Sequence, residues 1–121
     1  MLDAIMEVMS SIVVRLDPKL LENPDADLRY LLPDLLIERS AGLLVDDGYD
    51  YLDDGRMLLF LRTASLAAAT EVVLHVIRNE ELVGNSLSTA VVAVAEADPS
   101  TAAADYVVAH PADFDEIFAL G

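Results

Sequence analysis

The sequence predicts an α+β fold in a single domain, and three observations lead to this class. Its 121 residues match the length of one ordinary domain. Segments with the alternating pattern of strands are interspersed with segments that carry the 3.6-residue period of helices. Residues 57–61 and 89–96 are almost continuously apolar, which is typical of strands that are buried on both faces of a sheet.

The first 16 residues carry two conflicting patterns. Apolar residues recur at alternating spacings of three and four, as on one face of a helix: Leu2, Ile5, Met9, Ile12 and Leu16. Residues 11–16 are instead β-branched and apolar, which favours a strand. We predict a strand over residues 7–16. Asp17-Pro18 ends it, because proline offers no backbone donor and restricts the residue before it.

A leucine-rich face predicts a helix before Gly42: Leu28, Leu31, Leu32, Leu35 and Leu36. Pro33 interrupts this pattern. Proline in a helix interior costs about 3 kcal/mol, whereas it suits the first helical position. We therefore predict a helix over residues 33–41, with Gly42 as its left-handed C-terminal cap. A separate turn of helix from Asp25 is left open.

The stretch from Gly42 to Thr63 holds two turn signals and the densest acid in the chain. Asp47-Gly48 has the composition of a two-residue hairpin turn, here between residues 43–46 and 49–52. Asp53-Asp54-Gly55 predicts a second turn. A strand over residues 56–63 is expected to follow it.

An alanine-rich apolar stripe predicts a helix over residues 65–80, which Thr63 or Ser65 can cap. A connection through Gly84-Asn85 then leads to the apolar strand over residues 89–96.

The C-terminal part predicts a loop at residues 98–100, a short strand over residues 104–109 and a last helix. Pro111 suits the first position of that helix. Its apolar side chains would dock it: Phe114, Ile117, Phe118 and Leu120.

The order of these elements contains two strand–helix–strand units. In an α+β chain of this size it predicts a ferredoxin-like (split βαβ) sheet, mainly antiparallel, with helices on one face. A C-terminal strand and a short helix are added to it. Because two strands are apolar on both faces, the second face also needs cover, from the C-terminal segment or from another subunit. We predict a homodimer through this sheet face, which a mass of one chain in light scattering would contradict.

Charge limits the classes of partner. The chain has 22 acids and 7 bases, a formal net charge of −15, and it has no Lys or Arg after Arg78. A field of this sign repels nucleic acids and anionic membranes, and it attracts basic proteins or cations. We therefore expect a basic protein partner, no nucleic acid and no membrane. Solubility is the plain alternative explanation of the charge.

The sequence was searched for disulfides, a secretory signal and a membrane span, which indicate the compartment of a protein. The chain has no cysteine, which rules out disulfides and is compatible with a reducing cytoplasm. No basic segment precedes an apolar one as in a secretory signal, and no apolar run approaches the roughly 20 residues of a membrane span. We expect a cytoplasmic protein of the small bacterial type.

The acids and tyrosines of the middle stretch are the candidate site. A partner-binding patch is predicted at Asp46, Asp47, Tyr49, Asp50, Tyr51, Asp53 and Asp54. In a strand both tyrosine rings would point to one face and Asp50 to the other. Turn chemistry is the plainer explanation of the acids, because Asp side chains bond their own backbone in turns. A calcium loop fails on spacing, since Leu61 stands where the bidentate glutamate is needed.

No catalytic motif is present. The sequence lacks a glycine-rich phosphate loop, a nucleophile elbow and a cysteine nucleophile. His75 lies in the predicted helix without an obvious catalytic partner, and His110 is too far from it in sequence to define a zinc site. We predict no catalytic residue, no metal and no cofactor.

Two functions remain from different classes. The first is a non-enzymatic protein that presents an acidic surface to a basic partner, as an immunity protein or antitoxin does when it neutralises a basic nuclease. The second is a dimeric module with a pocket between sheet and helices, which binds a ligand or performs simple acid–base chemistry. An exposed row of carboxylates favours the first, and a concave apolar pocket with buried acids or His75 favours the second.

Overall fold

The computed structural model describes residues 10–95 and 106–114. Within them lie seven strands, two α-helices and a short 3-10 helix at Pro18–Leu20. In chain order the main elements are β1 Ser10–Leu16, α1 Leu28–Arg39, β2 Val45–Tyr51, β3 Met57–Thr63, α2 Leu66–Asn79, β4 Glu81–Leu82, β5 Asn85–Ser86, β6 Val91–Ala95 and β7 Val107–His110.

Five of the strands form one sheet in the order β2-β3-β1-β6-β7, and every neighbouring pair in it is antiparallel. β1 is central, with β3 on one side and β6 on the other. Since β1 and β2 are both antiparallel to β3, they run parallel to each other with β3 between them. The fold is therefore a mixed α+β structure with a mainly antiparallel sheet, as the sequence predicts at this level.

The N-terminal strand prediction is confirmed where the structure describes it. β1 pairs along its whole length with β3, from Ser10 opposite Thr63 to Leu16 opposite Met57. Its other edge pairs with β6 from Ser11 opposite Ala95. Residues 7–9, where the predicted strand begins, lie outside the described part of the chain.

Both helices cover one face of the sheet. Alternate residues of β1, namely Ile12, Val14 and Leu16, point into a core that also contains residues of both helices. Among these are Leu36 of α1 and Val73 of α2, which are fully buried. The helices are joined at the end of α1 by Arg39, whose Nε and Nη2 each donate to the Glu80 carboxylate at 2.9 Å.

The predicted start of α1 is wrong. The helix begins at Leu28 and runs through Pro33 without interruption to Arg39. Leu28 and Leu32 are fully buried. Burying a leucine side chain stabilises by about 1.5–3 kcal/mol, so two of them offset the roughly 3 kcal/mol that an interior proline costs. The left-handed residue that ends the helix is Ala41, with φ +52°, one residue before the predicted cap. Gly42 follows it with φ +89° and donates its N–H to the Ile37 carbonyl.

The predicted hairpin at Asp47-Gly48 is also wrong. Both residues lie within β2 and stand opposite Phe60, because Asp46 pairs with Leu61 and Tyr49 pairs with Leu59. Two residues facing one make a β-bulge, and Gly48 supports it with φ +94°. Bulges and hairpin turns both call for glycine at positive φ, so the dipeptide alone does not separate them.

The second turn signal is the true hairpin. The loop between β2 and β3 consists of Asp53, Asp54 and Gly55. The Gly55 N–H bonds the Leu52 carbonyl at 2.9 Å, and the Leu52 N–H bonds the Arg56 carbonyl at 2.8 Å. Gly55 has φ +91°, which fits a three-residue loop that ends in a left-handed residue. The strand predicted after it is confirmed as β3.

The helix predicted over residues 65–80 is confirmed as α2, with Ser65 at its N-cap position. The Ser65 side chain makes no capping bond. The Thr63 hydroxyl instead accepts the Ser65 N–H at 3.0 Å, so the threonine orders the entry into the helix.

The connection at Gly84-Asn85 contains a small hairpin, β4–β5, which the sequence does not predict. Its turn residues Val83 and Gly84 both have positive φ, as a type I′ turn requires. Asn85 is fully buried, and its side chain joins the hairpin by hydrogen bonds to the loop after the 3-10 helix. Its Oδ1 accepts the Asn23 N–H at 2.6 Å, and its Nδ2 donates to the Asn23 carbonyl at 2.9 Å.

The face of the sheet opposite the helices is also covered. Val13, Leu58 and Ala93 are fully buried on it, and a second apolar cluster packs over them: Phe60, Tyr106, Val108 and Phe114. Three of these, Tyr106, Val108 and Phe114, come from the C-terminal segment around β7. The apolar residues on both faces of β3 and β6 are therefore covered by the chain itself. The homodimer stays a prediction, but an uncovered sheet face no longer supports it.

The C-terminal strand prediction is confirmed in part. β7 pairs with β6, with Val108 opposite Ala93. Pro111 to Phe114 form a turn, closed by the Phe114 N–H on the Pro111 carbonyl at 3.3 Å. The predicted loop at residues 98–100 and the predicted last helix beyond Phe114 lie outside the described residues.

Candidate functional site

The predicted site residues come together along one exposed edge. β2 is an outermost strand of the sheet, and every residue of it is exposed. Asp53 and Asp54 continue this edge into the β2–β3 turn and are exposed as well. We call this set the acidic edge: Asp46, Asp47, Tyr49, Asp50, Tyr51, Asp53 and Asp54.

Two carboxylates of the acidic edge bond the local backbone. Asp46 Oδ1 accepts the Gly48 N–H at 2.8 Å, within the bulge. Asp50 Oδ1 accepts the Tyr51 N–H at 2.8 Å. Such bonds explain why Asp occurs at these positions whether or not a partner binds.

Two other carboxylates form ion pairs with arginines of the same hairpin. Asp47 Oδ2 lies 2.9 Å from Arg62 Nε, and Asp54 Oδ2 lies 2.9 Å from Arg56 Nε. The hydrogen bond from the Arg56 side chain, with a further one from its backbone N–H, holds the pKa of Asp54 below its ordinary value. Over residues 45–63 five carboxylates face two arginines, so the hairpin keeps a negative balance.

The tyrosines lie on the helix side of the edge, as alternation predicts. Tyr49 stands opposite Leu59 and Tyr51 opposite Met57, while Asp50 stands opposite Leu58 on the other face. The two rings meet edge to face, with centroids 5.9 Å apart at 81°. Tyr49 also meets Tyr30 of α1 edge to face at 5.8 Å and 88°. The three rings are 42–48% exposed, so part of each stays open to solvent.

Arg29 completes this aromatic patch. Its guanidinium carbon lies 4.5 Å from the Tyr30 ring centroid and 5.4 Å from that of Tyr49, within cation–π range. Its Nη1 donates to the Tyr51 hydroxyl at 3.4 Å. We call the group of Arg29, Tyr30, Tyr49 and Tyr51 the tyrosine patch.

Mutual contacts within the tyrosine patch shift its ionisations. The Tyr30 side chain, and then the Tyr51 side chain, raise the pKa of Arg29. The Arg29 guanidinium in turn lowers the pKa of Tyr30. Hydrogen bonding with Tyr30 raises the pKa of Tyr49. The guanidinium therefore stays charged, and Tyr30 is the ring hydroxyl that the patch makes more acidic.

Arg29 and Tyr30 are the site residues that sequence reasoning missed. A helix started at Pro33 leaves both in a loop, with no reason to face β2. Once α1 begins at Leu28, its first turn lies beside the edge strand and presents both residues to it. The available signal was the five-leucine face, which extends N-terminally past Pro33 to Leu28.

The described residues show no metal centre, and packed side chains occupy the layer between sheet and helices. Among residues 10–95 and 106–114, no group of three or more His, Asp or Glu side chains could hold a metal ion. The layer between sheet and helices is filled by fully buried side chains such as Leu59 and Val76. A groove of about 360 Å³ lies outside that layer, lined by α2 residues including His75 and by Arg39. His75 is exposed and its carbonyl accepts the Asn79 side-chain N–H, as suits a surface residue of a helix.

No protein-family model, no curated protein and no solved structure matches this chain. In the described part of the chain, no helix is long and apolar enough to cross a bilayer. The geometry of the acidic edge and the tyrosine patch therefore carries the functional argument.

Proposed function

We propose that this chain is a small, non-enzymatic, cytoplasmic protein of bacterial type that binds a basic protein partner, in the manner of an immunity protein or antitoxin. The observation that carries the proposal is the acidic edge. All seven of its residues are exposed along a single strand and its turn. The whole chain has a net charge of −15, which would raise the rate of association with a basic protein surface.

Affinity in such a complex needs more than charge, because exposed ion pairs contribute little individually. The tyrosine patch supplies the apolar area. Three half-exposed rings lie beside the carboxylates. Tyr is enriched among interface residues that dominate binding energy. A Lys or Arg side chain of the partner can lie against a tyrosine ring of the tyrosine patch. A neighbouring one can pair with a carboxylate of the acidic edge.

The test is binding of the full chain to a partner captured from its native host, measured over a series of salt concentrations. Reversal of Asp47, Asp50 and Asp54 to Lys is expected to weaken binding at least tenfold and to flatten its salt dependence. Substitution of Tyr49 by Ala is expected to raise the dissociation rate with little change in the association rate.

A matched control separates the site from the overall charge. Reversal of Asp34, Glu71 and Glu81 to Lys changes the net charge by the same amount, and all three are exposed and belong neither to the acidic edge nor to the tyrosine patch. We expect this variant to bind nearly as the unchanged chain does. Equal losses from both triple variants, or binding indifferent to salt, would contradict a role of the acidic edge.

We also infer a ferredoxin-like (split βαβ) relationship for the sheet. Its support is the order β2-β3-β1-β6 with antiparallel neighbours, in which the strands joined by each helix are separated by one strand. The homodimer remains a proposal alongside it, with the mass in solution as its test. The alternative function, a ligand-binding or acid–base domain with a pocket between sheet and helices, has less support, because side chains fill that layer.

A further inference from the structure

The outer edge of β2 presents backbone groups that are directed away from the sheet. The Leu52 N–H donates to the Arg56 carbonyl at 2.8 Å, so the backbone groups of Leu52 point towards β3. Successive residues of a strand direct their backbone groups to opposite sides, so those of Asp50 also point to β3 and those of Tyr49 and Tyr51 point outward. Because β2 is an outermost strand, these outward groups can pair with an added strand.

The hydrogen bonds of this edge agree with that orientation. The Tyr51 N–H is held by Asp50 Oδ1 at 2.8 Å, outside the β2–β3 ladder. Among the described residues, no side chain holds the Tyr49 N–H or the carbonyls of Tyr49 and Tyr51. One donor and two acceptors are therefore open to a partner, and a second donor is held only by a local carboxylate.

The side chains of these three residues alternate in chemistry. The rings of Tyr49 and Tyr51 lie on the helix side, and both are 42% exposed. Asp50 stands opposite Leu58, on the other face of the sheet. Among the described residues, its carboxylate forms no ion pair. A strand laid along this edge would meet a ring, a carboxylate and a second ring at successive residues.

Charge selects the occupant of the edge. Asp46 before the bulge and Asp53 in the β2–β3 turn extend the negative charge past both tyrosines. Within the described part of the chain, neither forms an ion pair. A second copy of this chain would bring the same acids, and like charges on facing strands are destabilising. A segment that carries Lys or Arg is attracted instead.

We propose that β2 binds a basic, extended segment of the partner as an added antiparallel strand, with Lys or Arg opposite Asp50 and β-branched or aromatic residues opposite Tyr49 and Tyr51. Every neighbouring pair in this sheet is antiparallel, which is also the slightly more stable pairing. The inference rests on the proposed function, because it describes how the basic partner proposed there is held.

Backbone and side-chain contacts act together in this arrangement. The segment exchanges N–H and carbonyl bonds with Tyr49 and Tyr51, which supplies affinity. The Tyr51 N–H passes from Asp50 Oδ1 to a carbonyl of the segment, so the carboxylate is released to the basic side chain. The side chains opposite the tyrosines cover the rings, and such cross-strand pairs stabilise a sheet.

The test is a titration of the full chain with a synthetic peptide, followed by backbone amide NMR. The peptide is Lys-Lys-Val-Lys-Val-Lys-Lys, acetylated and amidated, so that its middle Lys can stand opposite Asp50 and its valines opposite Tyr49 and Tyr51. We expect saturable shifts at these three residues. The Tyr49 amide is also expected to exchange its hydrogen more slowly, because it becomes hydrogen-bonded.

Two N-methylated peptides separate strand pairing from attraction between charges. N-methylation of one valine removes a donor that faces β2, whereas N-methylation of the middle Lys removes a donor that faces away. Both changes leave the charge of the peptide unaltered. The valine-methylated peptide is expected to bind about tenfold more weakly than the lysine-methylated one, since it loses a hydrogen bond and its methyl group lies between the strands.

A pair of variants tests the same donor on the protein. Tyr49→Pro and Tyr49→Ala both remove the ring, but only Tyr49→Pro removes the outward N–H. Proline is compatible with an edge strand where its nitrogen faces solvent. Tyr49→Pro is expected to bind the unmodified peptide several-fold more weakly than Tyr49→Ala does. Unchanged amide shifts in β1 and β6 show that each variant is folded.

Equal affinities of the two N-methylated peptides would overturn strand addition, as would stronger binding by the valine-methylated one. Peptide binding that remains sensitive to salt in that case leaves the acidic edge, and with it the proposed function, intact. An absence of saturable shifts along β2 would also overturn strand addition. The captured partner and the reversal of Asp47, Asp50 and Asp54 then decide the proposed function separately, because neither depends on the conformation of the bound segment.

Discussion

Val83 holds a backbone conformation that β-branched residues rarely adopt. Its φ is +52°, at the first central position of the β4–β5 turn, and its side chain is 40% exposed. In the left-handed region the Cβ of an L-residue crowds the following carbonyl oxygen, at a cost of about 1–2 kcal/mol. The Val83 carbonyl accepts the Asn23 Nδ2–H at 3.1 Å, so docking against that loop holds the turn in place.

Replacing Val83 by Asn is therefore expected to stabilise the protein by about 1 kcal/mol, since Asn tolerates positive φ and Asn-Gly is the favoured type I′ sequence. Urea unfolding measures the change. Val45→Asn is the control, because Val45 is similarly exposed at 52% but lies in a strand. A Val83→Asn protein no more stable than the original chain would contradict strain at this turn.

The acidic residues of β2 have an explanation that needs no partner. As an exposed edge strand it presents unpaired backbone groups that could pair with a second chain. Its bulge at Asp47-Gly48 and its three aspartates oppose such pairing, which is a common protection of sheet edges. The same carboxylates form the acidic edge. Protection of the edge accounts for acids on the strand, and it does not account for the tyrosine patch beside them.

α1 provides the sharpest test of why a helix runs through proline. If burial of its N-terminal half is the reason, Leu32→Ala is expected to cost about 2–5 kcal/mol of the free energy of unfolding. Leu31, the adjacent residue, is 38% exposed and provides the control. Leu31→Ala is expected to cost well under 1 kcal/mol. Similar small losses at both positions would mean that this segment is not packed as a helix against the sheet.

The limits of sequence reasoning are visible in these same elements. α2 and β3 were predictable because their apolar periods are long and uninterrupted. The start of α1 was predicted too late, because the cost of a proline inside a helix was considered without the burial of Leu28 and Leu32, which offsets it. The bulge at Asp47-Gly48 depends on the partner strand, which is distant in sequence. For the candidate site, alternation correctly placed Tyr49 and Tyr51 on one face, but Arg29 and Tyr30 reach it only through the position of α1.

At the scale of the whole molecule, the net charge of −15 works against the compact state through self-repulsion. The ion pairs of the described residues offset only a few of the 22 acids. Salt screens repulsion between exposed charges over roughly 10 Å at 0.1 M. Long-range repulsion is thus expected to outweigh the local pairs.

The expected outcome is a midpoint of thermal unfolding that rises with sodium chloride at neutral pH. The variant with Asp34, Glu71 and Glu81 reversed to Lys should show a smaller rise, since it carries less repulsion to screen. Scanning calorimetry at several salt concentrations measures both slopes. Salt weakens the ion pairs, such as Arg39 with Glu80, as well as the repulsion. A midpoint that falls with salt would therefore show that the ion pairs stabilise the fold by more than the repulsion destabilises it.

The central position of β1 has a consequence for synthesis of the chain. β1 is made before both of its neighbours, and β6, which covers its second edge, begins 75 residues after the end of β1. Until β3 emerges, which begins 41 residues after the end of β1, a strand of sequence SSIVVRL, mostly apolar and free of proline, leaves the ribosome with neither of its partners. The nascent chain is thus most prone to aggregate early, and a chaperone that shields extended apolar segments would act on it at that stage.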